Sequence, residues 1–202
     1  GHGGVFGLDK VDLANTTRIF FAASEAGPNA TSRLSLFSVD LDLNAAPSFS
    51  NVRRIFSEQF VASCWHYGGA VLVVEDSLFL SGGDRGRRDE IQREDINFGN
   101  SYRFKIEGDG NLIPHPANSF DSNPSIFSRG HRNIQGLTFV PLTGDVVASE
   151  HGPQGGDELN ILQSGTNYGW PLATFGEEYG GGTIGETTVD GYEDPLGYYL
   201  PS

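Results

Sequence analysis

The sequence predicts an all-β fold, a β-propeller of which this chain covers about three blades. Glycine-led units recur about 65 residues apart, at Gly4, Gly69 and Gly136. Each unit reads as an apolar strand, a short polar turn, a second apolar strand and a polar tip: Ser24-Glu25, Gly83-Asp84 and Glu150-His151. No stretch carries the 3.6-residue apolar periodicity of an ordinary helix. A period this long, with several short strands per copy, fits a propeller blade better than a solenoid repeat.

The elements follow in order. Strands are expected at 18–23, 34–41 and 52–56 in the first unit, at 78–80 and 102–106 in the second, and at 146–148 in the third. Asp109-Gly110 supplies a hairpin turn after residue 106. The charged stretch 85–95 has too few apolar residues to dock as a helix and is expected as an exposed loop. The glycine-rich tract 179–185 lacks the Lys-Ser/Thr of a phosphate-cradling loop, so a flexible connection is expected. The whole of 1–202 is read as one partial propeller domain, since its length demands no second core.

Composition narrows the function. The 28 glycines and 37% hydrophobic residues suit short strands and tight turns. A net charge of -13, with 13 Lys and Arg in all, argues against nucleic acid, which needs clustered cations. The charge names no substrate, because surface acidity also serves solubility. The single cysteine, Cys64, excludes an internal disulfide and a CxxC metal site. No run of 18 apolar residues suggests membrane insertion. The chain has no methionine and begins at Gly1, so a natural start and any signal peptide are expected upstream.

Four clusters could carry chemistry. In Trp65-His66-Tyr67-Gly68-Gly69, the histidine can accept a proton near neutral pH, and the glycines permit close backbone approach to a ligand. A hydrogen-bonded structural histidine is the alternative. A Cys64-His66 nucleophile lacks an orienting third group. In Gly82-Gly83-Asp84-Arg85-Gly86, the charged pair is expected to cap the turn or pair internally. Arg132 and Asn133 offer a cationic fork and an amide to an anionic ligand, or a surface salt bridge. The run Glu150-His-Gly-Pro-Gln-Gly-Gly-Asp-Glu-Leu-Asn160 could wrap a calcium ion with carboxylates and carbonyls, or be a solvated acidic loop.

Taken in order, Gly130-His-Arg-Asn-Ile-Gln-Gly136, Glu150 to Asn160 and Asn167-Tyr-Gly-Trp-Pro171 resemble the glucose/sorbosone dehydrogenase family. Its soluble members use pyrroloquinoline quinone (PQQ) on a six-bladed propeller. His66-Tyr-Gly-Gly69, Gly83-Asp-Arg-Gly86, Tyr102-Arg-Phe-Lys105 and the segment 1–9 extend the resemblance over nearly the whole chain.

The resemblance implies PQQ- and calcium-dependent oxidation of an aldose sugar at the anomeric carbon to the lactone, with His66 as general base. It implies that Gly152 and Pro153 hold the calcium touching PQQ through their carbonyls. Arg132, Asn133 and His2 occupy cofactor-contacting positions, and Asp157, Glu158 and Tyr168 surround a second, structural calcium. Two departures stand out: His2 replaces a glutamine usual in relatives, and Ala70 replaces a common arginine. The chain also stops before later blades that bring cationic residues to PQQ. An external electron acceptor, a periplasmic or secreted location and a homodimer are further expectations. The competing reading is a non-catalytic propeller serving as a binding module.

Overall fold

A computed structural model describes residues 3–42 and 47–200. Its strands form three sheets. The first is a four-stranded antiparallel meander of β1 (Val5–Asp12), β2 (Thr17–Ala26), β3 (Ser32–Asp42) and β4 (Ser48–Ser57). The second takes β5 (Gly68–Val74), β6 (Ser77–Gly82), β7 (Asn100–Ile106), β8 (Leu112–Pro114), β9 (Ile126–Arg129) and β13 (Thr166–Asn167). The third runs β10 (Ile134–Val140), β11 (Asp145–Glu150), β12 (Asp157–Leu162) and β14 (Gly197–Tyr199). The leading strands β1, β5 and β10 lie side by side, as the inner strands of successive blades do.

Two cores weld the sheets. Phe20 and Leu36 of the first sheet pack with Leu78, Leu80, Tyr102 and Phe104 of the second. Phe79 and Phe127, on the other face of the second sheet, pack with Ile134, Val146 and Leu162 of the third. Alternate side chains of β6 therefore enter different cores, which explains why its Leu78-Phe79-Leu80 run is unbroken rather than alternating. Arg103 lies over Phe127, its guanidinium carbon 4.7 Å from the ring centroid. Between the first two sheets, buried Arg18 pairs with Asp40 at 2.7 Å and donates across to the Asp109 carbonyl of the β7–β8 turn.

All six expected strands fall within β2, β3, β4, β6, β7 and β11, and Asp109-Gly110 forms the expected turn. The stretch 85–95 differs from the expected exposed loop. It contains one 3-10 turn at Arg88–Glu90, buries Ile91 and encloses Arg85 completely. The tract 179–185 is pinned at its base, where Glu177 pairs with Thr183 and Glu178 N donates to Gly182 O. No helix among the described residues is long and apolar enough to cross a membrane.

Candidate active site

Loops at the ends of β6, β9 and β11 meet the loop before β5 around a pocket of about 430 Å³. Its walls include His66, Asp84, Arg132, Pro153, Trp170 and Tyr179. Three expected site residues from separate parts of the chain thus share one cavity.

The His66 ring is half-buried, with Nδ1 2.6 Å from Asp84 Oδ1. A carboxylate there favours a proton on Nδ1 and leaves Nε2 as the basic nitrogen. Asp84 is itself fixed: Gly86 N donates to Oδ1 at 2.6 Å and Trp170 Nε1 donates to Oδ2 at 2.8 Å. Asp84 therefore caps its turn as expected, but its side-chain partner is His66 rather than Arg85. His66 is also paired with Asp84 rather than with Cys64, which is exposed.

The backbone around His66 is crowded and strained. His66 has φ of 42° and Arg85 φ of 56°, left-handed values that cost a non-glycine residue of order 1–3 kcal/mol. A Cβ at Gly83 would run into the His66 carbonyl. Gly68, at φ 65°, would put a Cβ 2.7 Å from the Gly82 carbonyl carbon, and Gly69, at φ 96°, would meet the Phe6 side chain at 2.7 Å. These two glycines allow close approach of protein to protein at the strand joint.

Arg132 faces the same pocket. Its guanidinium carbon lies 5.6 Å from the Trp170 ring centroid, and Nη1 donates to His151 O at 2.9 Å. Its backbone carbonyl accepts from Asp84 N at 2.7 Å, tying the two loops together. Behind it, Glu150 accepts from the backbone N–H groups of Arg132 and Asn133 and sits 2.8 Å from His131 Nδ1. Asn133 is turned toward structure: its Oδ1 accepts from Gly68 N and Gln135 Nε2. Ala70 lines a different cavity, among the inner strands β1, β5 and β10. His2 lies outside the described residues.

The acidic run divides. Glu158, Gly152 and Tyr168 line a small cavity of about 10 Å³ together with Glu150, room for one water-sized occupant. Burial, then the neighbouring Glu150 charge, pushes the Glu158 carboxyl up to about 8. Asn160 donates to both carboxylates, and its buried Oδ1 has no hydrogen-bond partner. Crowded carboxylates are donors a hard cation takes, while the Asn160 oxygen, opposite the amide nitrogen that meets both carboxylates, points away from them. Asp157 is not in this cavity; it accepts from Gly152 N at 2.8 Å and lies 3.3 Å from His151 Nδ1. Among the described residues, no three His, Cys, Asp or Glu side chains converge as a metal cage.

The Glucose / Sorbosone dehydrogenase family matches residues 1–202. The chain is 34% identical to the aldose sugar dehydrogenase YliI of Escherichia coli (strain K12), covering 100% of this chain and 56% of that protein. It is 30% identical to quinoprotein glucose dehydrogenase B of Acinetobacter calcoaceticus over 66% of this chain and 28% of that one. The apo crystal structure of the soluble aldose sugar dehydrogenase from Escherichia coli matches with a TM-score of 0.90 at 32% identity, covering 100% of this chain and 60% of that one. A PQQ-bound aldose sugar dehydrogenase from Streptomyces coelicolor matches with a TM-score of 0.68 at 27% identity, over 98% and 54%. The chain therefore spans 56% of YliI and 28% of quinoprotein glucose dehydrogenase B. With three blade-like sheets and a match over its whole length, the chain belongs to the glucose/sorbosone dehydrogenase family as a partial β-propeller.

Proposed function

We propose that this pocket oxidises an aldose sugar at its anomeric carbon, with PQQ as the cofactor and calcium beside it. One observation carries the reading: His66, braced by Asp84 and Trp170, faces the same cavity as Arg132 and Pro153. A positioned base and a cation on one small cavity suit removal of a hydroxyl proton next to an anionic cofactor.

In this reading the sugar binds with its anomeric hydroxyl at His66 Nε2. The ring takes that proton, and the Asp84 carboxylate stabilises the imidazolium that forms. The cofactor, when bound, supplies the hydride acceptor that the chain itself lacks. Arg132 supplies a fixed positive charge for carboxylate or quinone oxygens, held by Trp170 and the His151 carbonyl. Carbonyls of Gly152 and Pro153 would hold the calcium at the cofactor. Glu158 and Glu150, which share the small cavity with Tyr168, would hold a structural calcium. That second ion would relieve the carboxylate repulsion within the cavity.

The test is a titration of PQQ with calcium into the full-length gene product, followed by addition of an aldose. Saturable binding and bleaching of the oxidised quinone absorbance on sugar addition are expected. Binding without bleaching, or no binding, would favour the non-catalytic propeller instead.

A further inference from the structure

We infer that Arg85 is a positioning residue for His66, its buried guanidinium clamping the loop on both sides of the histidine so that the ring stays against Asp84. The inference rests on the proposed role of His66 as base.

Arg85 is 0% exposed, unusual for an arginine, and its contacts concentrate on one short loop. Nε donates to Trp65 O at 3.0 Å, the residue before the histidine. Its guanidinium carbon stands 3.7 Å from the ring centroid of Tyr67, the residue after it. Nη2 donates to Ser63 O at 3.0 Å and Ser32 Oγ at 2.9 Å, and Nη1 donates to Ser32 O at 3.4 Å. Ser32 also accepts from Tyr67 OH at 2.7 Å and donates to Ser63 O, so the loop is gripped from both sheets. A planar guanidinium can serve this many acceptors from one place; a lysine cannot.

The acidic residue beneath does not compete for the clamp. Glu58 is fully buried with Oε2 4.0 Å from Arg85 Nη1, beyond hydrogen-bond reach, while Tyr102 OH donates to its Oε1. Burial, opposed by the nearby Arg85 charge, pushes its carboxyl up to about 8, and the 4.0 Å separation leaves the guanidinium N–H groups to the loop. Asp84 and Arg85 thus divide one task. The aspartate fixes the ring of His66, and the arginine fixes the backbone that carries it. The left-handed φ of both His66 and Arg85 is the kind of conformation that persists only under such constraint.

The test is a cycle of Arg85→Lys and His66→Ala in the PQQ-loaded protein, read as kcat, KM and cofactor affinity. Arg85→Lys is expected to lower kcat by about 10²-fold, with KM and PQQ affinity moving less than about threefold. In the His66→Ala background it should leave the residual rate unchanged, because an effect routed through the histidine vanishes with it. Equal losses in both backgrounds, an unchanged kcat, or a loss confined to PQQ affinity overturns the inference. If Arg85→Lys does not fold, Ser32→Ala, which loosens the clamp at its far end, takes its place with a smaller loss and the same dependence on His66.

A cofactor-free measurement separates this inference from the functional reading. Heteronuclear NMR of the histidine rings should show the His66 Nδ1–H signal weakened or lost in Arg85→Lys, with that of His131, held by Glu150, retained as a control. An unaltered His66 signal counts against the clamp. Absence of sugar oxidation in the unsubstituted protein counts against the function alone.

Discussion

In the proposed reaction the tautomer of His66 is set by one carboxylate, and that makes Asp84 the most informative residue to change. Asp84→Asn keeps the size but lets the amide donate to Nδ1, reversing the tautomer. A kcat loss of about 10²–10⁴-fold with little change in KM is expected, measured as sugar-dependent reduction of PQQ. A second prediction concerns Glu58. Its folded carboxyl titrates at about 8 against 4.5 for the ordinary group, so the folded state holds a proton that the unfolded chain has released. Stability contributed by this group therefore falls as pH rises from about 4.5 to about 8. Glu58→Gln should remove that slope, gaining roughly 10 °C in Tm over the parent at pH 8.5 relative to pH 5. Equal Tm differences at both pH values would show the carboxyl is not buried in its neutral form. These residues also mark how far the sequence could be read. His66, Arg132 and Pro153 stand in short contiguous motifs that single them out, and they line one pocket. The role of Asp84 is not legible in its motif, because the partner that matters lies 18 residues back in sequence, while its contact to Gly86 is local and suggests only a turn cap. Arg85 misleads for a related reason: a charged side chain is expected outside unless its partners are known, and its partners here are carbonyls of another loop.

At the scale of elements, strands with their own apolar signal could be found in the sequence, and those that exist by pairing alone could not. β2, β6 and β11 carry runs of Phe, Leu, Ile or Val, and β7 alternates Tyr, Phe and Ile with polar residues. β8, β13 and β14 are two or three residues long and have no pattern to read; neighbours impose them. The joint between β6 and the site is closely packed. Gly83→Ala would drive a methyl group into the His66 carbonyl, forcing the β6 end and the His66 loop apart. A loss of about 1–3 kcal/mol in chemical denaturation is expected, accompanied by weaker sugar oxidation. If the variant matches the parent in both, the crowding at this joint is not a constraint.

For the molecule as a whole, cohesion comes from side chains that reach between sheets. Phe79 is one of the side chains the second sheet sends into the core it shares with the third, where it packs edge-on against Phe127 of its own sheet at 5.2 Å between centroids. Phe79→Ala should cost about 3–5 kcal/mol, read as a fall in the denaturation midpoint, since it empties the middle of that core. A change below about 1 kcal/mol would mean the second and third sheets hold together by other contacts. The period of about 65 residues foretold three such units, but not which faces meet, because burial on both sides of β6 is a property of its neighbours. That sandwiched position also sets a clock for solvent. Amide hydrogens of Leu78, Phe79 and Leu80 sit in backbone covered from above and below, so they exchange with deuterium only when the sheets part. Those along the exposed strand β4 exchange by fraying of its edge, and the protein should label from its rim inward.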